Sequence, residues 1–251
     1  MDTLCGEVGA VGGTTTPVQI IIDEPLLDPS MRTWTNNYLF DNQWILESNV
    51  GNTGSVVRWI RDEKLKGKTD YLELNRLAEK APIGSGGVLS YLGPHLFDNR
   101  PPYWSVDKLG NLPVSSAILG NDDNDISCLT RSVFEANCYG VKANLLQLQE
   151  ISGLSFNHIW FCGGNSMSDL WMQIQADVLG MEVMVPEVHD ATAIGVAILC
   201  GMGTGYFSDR DDAVEIMVRI GKVFEPRQTE SNAYQSHYCR WIETRDKLGM
   251  V

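Results

Sequence analysis

Residues 158–207 read HIWFCGGNSMSDLWMQIQADVLGMEVMVPEVHDATAIGVAILCGMGTGYF, and the periodicity of this stretch sets the fold class. A short apolar run, Ile159 to Cys162, leads into Gly163-Gly164-Asn165-Ser166, after which Leu170, Trp171, Ile174 and Val178 recur at helical spacing. Gly180 stops that helix, the run Val183-Met184-Val185 closes at Pro186, and an alanine-rich helix covers 191–201. Strand, helix, strand and helix in close succession predict a layered α/β sheet.

Two glycines directly after a strand let a backbone approach a ligand closely, and the helix N-terminus that follows offers free N–H groups and the positive end of a dipole. Residues 163–166 are therefore a candidate nucleotide loop. Taken alone, such a pair more often makes a plain tight turn, because the full dinucleotide fingerprint is missing.

The stretch as a whole resembles the C-terminal domain signature of the FGGY carbohydrate kinases, where GGGS-x-S-x-LW-x-QI-x-AD-x-x-G leads into E-ATA-x-G-A-A. The match runs through the loop, both helices and the strand between them. The resemblance implies an α/β ribonuclease H-like (actin-like ATPase) fold, a central mixed sheet flanked by helices. It also implies ATP and Mg2+ as cofactors, with the nucleotide bound between two domains of this fold and phosphoryl transfer to a sugar hydroxyl. The sequence resembles only the second of those domains over 1–251, so the sugar-binding N-terminal domain has no counterpart in it and the chain by itself is expected to be inactive. The turn GGTTTPVQ and the segment DPSMRTW lean toward the autoinducer-2 kinase or xylulose kinase branch. A different class of function, a non-catalytic nucleotide- or partner-binding remnant of such a kinase, fits the same residues.

Working outward, 1–22 read as strand, glycine turn and strand, with Thr14-Thr15-Thr16 after Gly12-Gly13. A bare β-hairpin accounts for that pattern; the resemblance makes it similar to the family's phosphate-contacting turn, with Gly13 and Thr14 as the contacts. Asp2, in Asp2-Thr3-Leu4-Cys5-Gly6, is similar to the family's catalytic aspartate, a carboxylate that would accept the sugar hydroxyl proton. The separation between Asp2 and the turn is shorter than the family's. Arg100 falls where the family has an arginine, beside Asp98-Asn99 in place of Gly-Glu.

The rest of the chain punctuates simply: a hairpin over 34–49, helices over 53–64 and 71–81 to which no function is assigned, and a loop containing Asp122, Asp123 and Asp125 that lacks the calcium-loop pattern. A long helix over 126–153 carries Leu129, Val133, Ala136, Val141, Leu145 and Leu148 on one stripe. The span 209–220 reads as helix ended by Gly221, and the tail as a helix with Tyr234, Tyr238, Trp241 and Leu248 in a row suited to docking.

The net charge of −13 and pI of about 4.6 argue against nucleic-acid and anionic membrane surfaces, both of which need a basic face. Any phosphate must then be held locally, by backbone N–H groups and a metal ion. No run reaches the ~20 apolar residues of a membrane span, and the expectation is a cytosolic chain. Six cysteines without a C-x-x-C pair indicate neither a protein-held metal nor a disulfide framework. Expected partners are ATP or ADP, a sugar presented by the other domain, and a second copy of the chain.

Overall fold

The computed structural model describes residues 7–92, 116–120 and 125–247. Asp2, Arg100, Asp122, Asp123 and Leu248 lie outside the described residues. Seven strands form one mixed sheet: β1 (Val8–Val11), β2 (Thr16–Ile22), β3 (Trp34–Asn37), β4 (Trp44–Val50), β7 (His158–Cys162), β8 (Glu182–Pro186) and β9 (Ile220–Phe224). A separate antiparallel ribbon pairs β5 (Leu89–Leu92) with β6 (Ser116–Leu119). The seven-stranded order is β3-β4-β2-β1-β7-β8-β9, with β1, β7 and β8 mutually parallel and the remaining pairs antiparallel. The hairpin β1–β2 and the first strand of the 158–207 stretch are thus neighbours, with Gly9 opposite Trp160 and Val11 opposite Cys162.

The strands carry the period of two that such a sheet demands. In β2 Thr16, Val18, Ile20 and Ile22 are buried and the residues between them half-buried, and in β7 Ile159 and Phe161 are buried. The helices are α1 (Thr53–Trp59), which runs on as a π-turn to Lys64, α2 (Tyr71–Lys80), α3 (Ile126–Ser152), α4 (Asp169–Leu179), α5 (Ala191–Gly203), α6 (Arg210–Met217) and α7 (Gln228–Lys247). Their starts are chemical: the side chains of Asp70, Asp125, Ser168 and Asp190 each accept a backbone N–H of the first turn of α2, α3, α4 and α5. Gly153 and Gly180 end α3 and α4 in the left-handed conformation.

Two expectations change and a third becomes specific. The 209–220 helix stops at Met217, and Ile220–Phe224 becomes edge strand β9 against β8. Its residues are largely exposed, so no apolar alternation marked it, and Gly221 serves close approach: a Cβ there would stand 3.0 Å from the Glu187 backbone. The second change is α3, buried nearly all round rather than along one stripe, because the sheet, β5, α2 and α4 all pack on it. Arg131, Glu135, Asn137 and Asn144 sit inside. Lastly, the aromatic row of α7 docks on the chain's own core. Trp241 is fully buried, stacks on Tyr91 at 5.3 Å and donates from its indole N–H to Ser90 O at 2.9 Å.

Candidate functional site

The turn joining β1 to β2 and the loop joining β7 to α4 emerge side by side, because β1 and β7 are adjacent parallel strands. Their backbones touch. Gly12 N–H donates to Cys162 O (2.8 Å) and Asn165 N–H donates to Gly12 O (3.1 Å). Glycine is required on both sides of the seam: a Cβ on Gly163, at φ +85°, would lie 2.6 Å from Gly12 O, and one on Gly12 would lie 2.6 Å from the Asn165 Cβ. A third glycine, Gly54 in the first turn of α1, presses on the turn from below. Its N–H is shared between Gly13 O and Thr14 O at 3.1 Å each, and a Cβ would fall 2.3 Å from Gly13 O.

These loops frame a cavity of about 520 Å³, within the range of small-molecule sites. One rim is Gly12, Gly13, Thr14 and Gly54, the other Gly164, Asn165, Met167 and Ser168. The inner wall is apolar, built from Val57, Leu74 and the parallel ring pair Phe134 and Trp171, whose centroids are 4.2 Å apart. Tyr71, Leu72 and Asn75 line it from α2, and Asn75 Oδ1 accepts the Ser168 hydroxyl at 2.7 Å. Arg58, at the end of α1, is the one cationic side chain among the described lining residues.

Of the residues singled out by sequence, Gly13, Thr14, Gly164 and Asn165 converge on this cavity. Gly163 and Ser166 are engaged within the protein instead. Gly163 closes the seam on Gly12, while the buried Ser166 hydroxyl bonds Gly163 O (2.7 Å) and His189 Nδ1 (2.6 Å) and so ties the loop to the segment before α5. Asp2 is outside the described residues. Sequence reasoning passed over the two helices that supply Gly54, Val57, Arg58, Tyr71, Leu72 and Asn75. The available signal was Gly54 in a helical first turn, a costly residue there unless something packs against it.

The cavity suits a nucleotide in two respects: a wall of apolar and aromatic side chains for a planar base, and on its rim a turn of exposed residues, Gly13 to Thr15, free of side-chain bulk at its glycine. It offers no carboxylate among the described lining residues, and those residues hold no cluster of three or more metal-ligating side chains. A magnesium ion would be carried by phosphate oxygens and water, in keeping with its preference for keeping several waters.

A mixed sheet with helices on its faces and a glycine-rimmed cleft at the ends of two parallel strands makes this an α/β protein with the ribonuclease H-like (actin-like ATPase) fold. Residues 8–204 match the model of the FGGY family of carbohydrate kinases, C-terminal domain, and the chain belongs to that family. It is 30% identical, over 98% of its length, to an autoinducer-2 kinase of Yersinia pestis, of which the match covers 47%. Among solved structures, xylulose kinase from Lactobacillus acidophilus superposes with a TM-score of 0.78 at 20% identity, covering 98% of this chain and 48% of that one. Glycerol kinase from Plasmodium falciparum, solved with ADP, gives 0.74 at 20% identity over 95% and 47%. The chain spans about half the length of these relatives. No helix among the described residues is long and apolar enough to cross a membrane.

Proposed function

We propose that the chain is the nucleotide-binding half of an ATP-dependent carbohydrate kinase, transferring the terminal phosphoryl group of ATP to a sugar hydroxyl in the cytoplasm, and that it is inactive without the sugar-binding half. The observation that carries this reading is the convergence of two glycine loops from separate parts of the sequence on one cavity with an apolar wall. The Phe134–Trp171 wall and the Gly164-Asn165 rim receive adenosine, and Gly163 and Ser166 fix that rim in place. The turn at Gly13 and Thr14 offers backbone N–H groups and the Thr14 hydroxyl to the phosphates, and Arg58 supplies the nearest positive charge. Bound Mg2+ would neutralise charge developing on the phosphate oxygens. Asp2 takes the part of the base that accepts the sugar hydroxyl proton. Since α5 carries no charged residue and only Ile198 of it is buried, with Val196 57% and Leu199 39% exposed, this face is covered by the other half or by a second copy of the chain.

Titration calorimetry with Mg-ADP tests the reading. Binding is expected in the wild type and is lost in Gly164→Val, where Cβ meets only ordinary contact (3.9 Å to Gly12 O) while the branched carbons enter the adenosine space. A folded wild type with no heat up to millimolar nucleotide overturns it. Mixed with a matching sugar-binding half, the chain should phosphorylate sugar, and Asp2→Asn should abolish turnover while leaving nucleotide affinity unchanged. Full turnover in Asp2→Asn would move the base elsewhere.

A further inference from the structure

Beneath the β1–β2 turn lies a row of polar side chains that the core does not need. Thr16, Thr53 and Asn137 are each fully buried, and they belong to β2, α1 and α3, three elements far apart in sequence. Asn137 Nδ2 lies 3.1 Å from Thr16 Oγ1, the Thr16 and Thr53 hydroxyl oxygens are 2.9 Å apart, and Thr53 Oγ1 reaches both Gly13 O and Thr14 O at 3.4 Å. The direction of this relay is fixed by chemistry. It is set by the relay's ends: the turn carbonyls only accept, so the Thr53 hydroxyl spends its single proton on Gly13 O and Thr14 O, and its oxygen is left to accept the proton of Thr16, which in turn accepts from the Asn137 amide nitrogen.

The relay is also incomplete, for Asn137 Oδ1 is buried without a hydrogen-bond partner. A buried amide oxygen left unmade works against stability, whereas apolar side chains of the same shape would be close to neutral. What the relay does deliver is orientation. With Gly54 N–H it draws the carbonyls of Gly13 and Thr14 down into the protein. In a trans peptide the next residue's N–H points the opposite way, so the N–H groups of Thr14 and Thr15 are turned to the open side of the turn, where both residues are exposed.

We infer that Asn137, Thr16 and Thr53 are positioning residues: a one-way hydrogen-bond relay that presets two adjacent backbone N–H groups of the 13–15 turn for the phosphate groups of a nucleotide. This rests on the nucleotide reading of the cavity and adds which buried residues make the turn select for phosphate. None of the three is expected to touch the ligand.

The test compares Mg-ADP with adenosine by titration calorimetry on the full chain, alongside thermal melts, for wild type, Thr53→Val, Thr53→Ser and Asn137→Leu. Adenosine affinity should be unchanged within about twofold in all four. Mg-ADP affinity should fall roughly tenfold in Thr53→Val and in Asn137→Leu, the loss expected for hydrogen bonds to a charged group, and should be restored in Thr53→Ser, which keeps the hydroxyl. Should Thr53→Val fail to fold, Asn137→Leu, two hydrogen bonds further from the turn at the relay's far end, carries the comparison. Equal weakening of both ligands, or undiminished Mg-ADP binding in folded Thr53→Val or Asn137→Leu, overturns the relay alone. If the wild type binds neither ligand, the nucleotide reading falls and the positioning role with it.

Discussion

Gly54→Ala puts one methyl group where the structure has no room for it. The added carbon would stand 2.3 Å from Gly13 O, 3.0 Å from Gly13 C and 3.3 Å from Thr14 Cα. All are backbone atoms, so no flexible side chain can swing away. Restoring ordinary contact requires the turn to rise, or α1 to retreat, by about 1 Å, an overpacking that costs about 1–3 kcal/mol of stability. The same shift stretches the shared bonds from Gly54 N–H to Gly13 O and Thr14 O, both 3.1 Å. Phosphate contacts through the turn then lose their alignment, and Mg-ADP should bind at least tenfold more weakly, since a hydrogen bond to a charged group is worth about 1.5–3 kcal/mol. Adenosine should be unaffected, because Leu74, Phe134 and Trp171 of its wall are carried by α2, α3 and α4 rather than by the turn or α1. Calorimetry with both ligands and a thermal melt give the three numbers. A folded Gly54→Ala that binds Mg-ADP like the wild type would refute the reasoning, as would equal loss of both ligands.

Two further outcomes are expected. Glu135→Ala should destabilise the chain by about 3–5 kcal/mol in chemical denaturation, because Glu135 accepts from Arg131 Nε (2.9 Å), Gly84 N (3.0 Å), Ser85 Oγ (2.7 Å) and Tyr234 OH (3.1 Å), and its loss leaves the Arg131 charge buried and unpaired; a change under 1 kcal/mol would contradict that. Burial pushes the Cys128 and Cys162 thiols up to about 11 from 9.0 and the Tyr91 phenol up to about 12 from 10.0. The unfolded chain gives up these protons first, so their contribution is constant below pH 9 and is lost as pH rises from 9 to about 12; the urea midpoint should decline across that window, and a midpoint rising there would reverse the assignment.

Local chemistry in the sequence determined the elements whose signals are local. The apolar run of β7, the glycine break at 163–164 and the stop at Gly180 are all consequences of neighbours a few residues apart, and each stands where the pattern places it. So does the hairpin that sets Gly13 beside the second loop. Tertiary structure alone decided the rest, for one physical reason: it depends on which surfaces meet. β9 is an edge strand of exposed residues held by pairing with β8, so nothing in its own pattern announces it. Arg131, Glu135 and Asn137 look like solvated positions on a helix until other elements close over α3. In the cavity the glycines divide by contact rather than by motif. Gly163 and Gly54 are fixed by backbone pressing on backbone and Gly12 by the Asn165 and Phe161 side chains, Gly13 and Gly164 border open space, and a string of letters cannot separate the two kinds because both are the same residue.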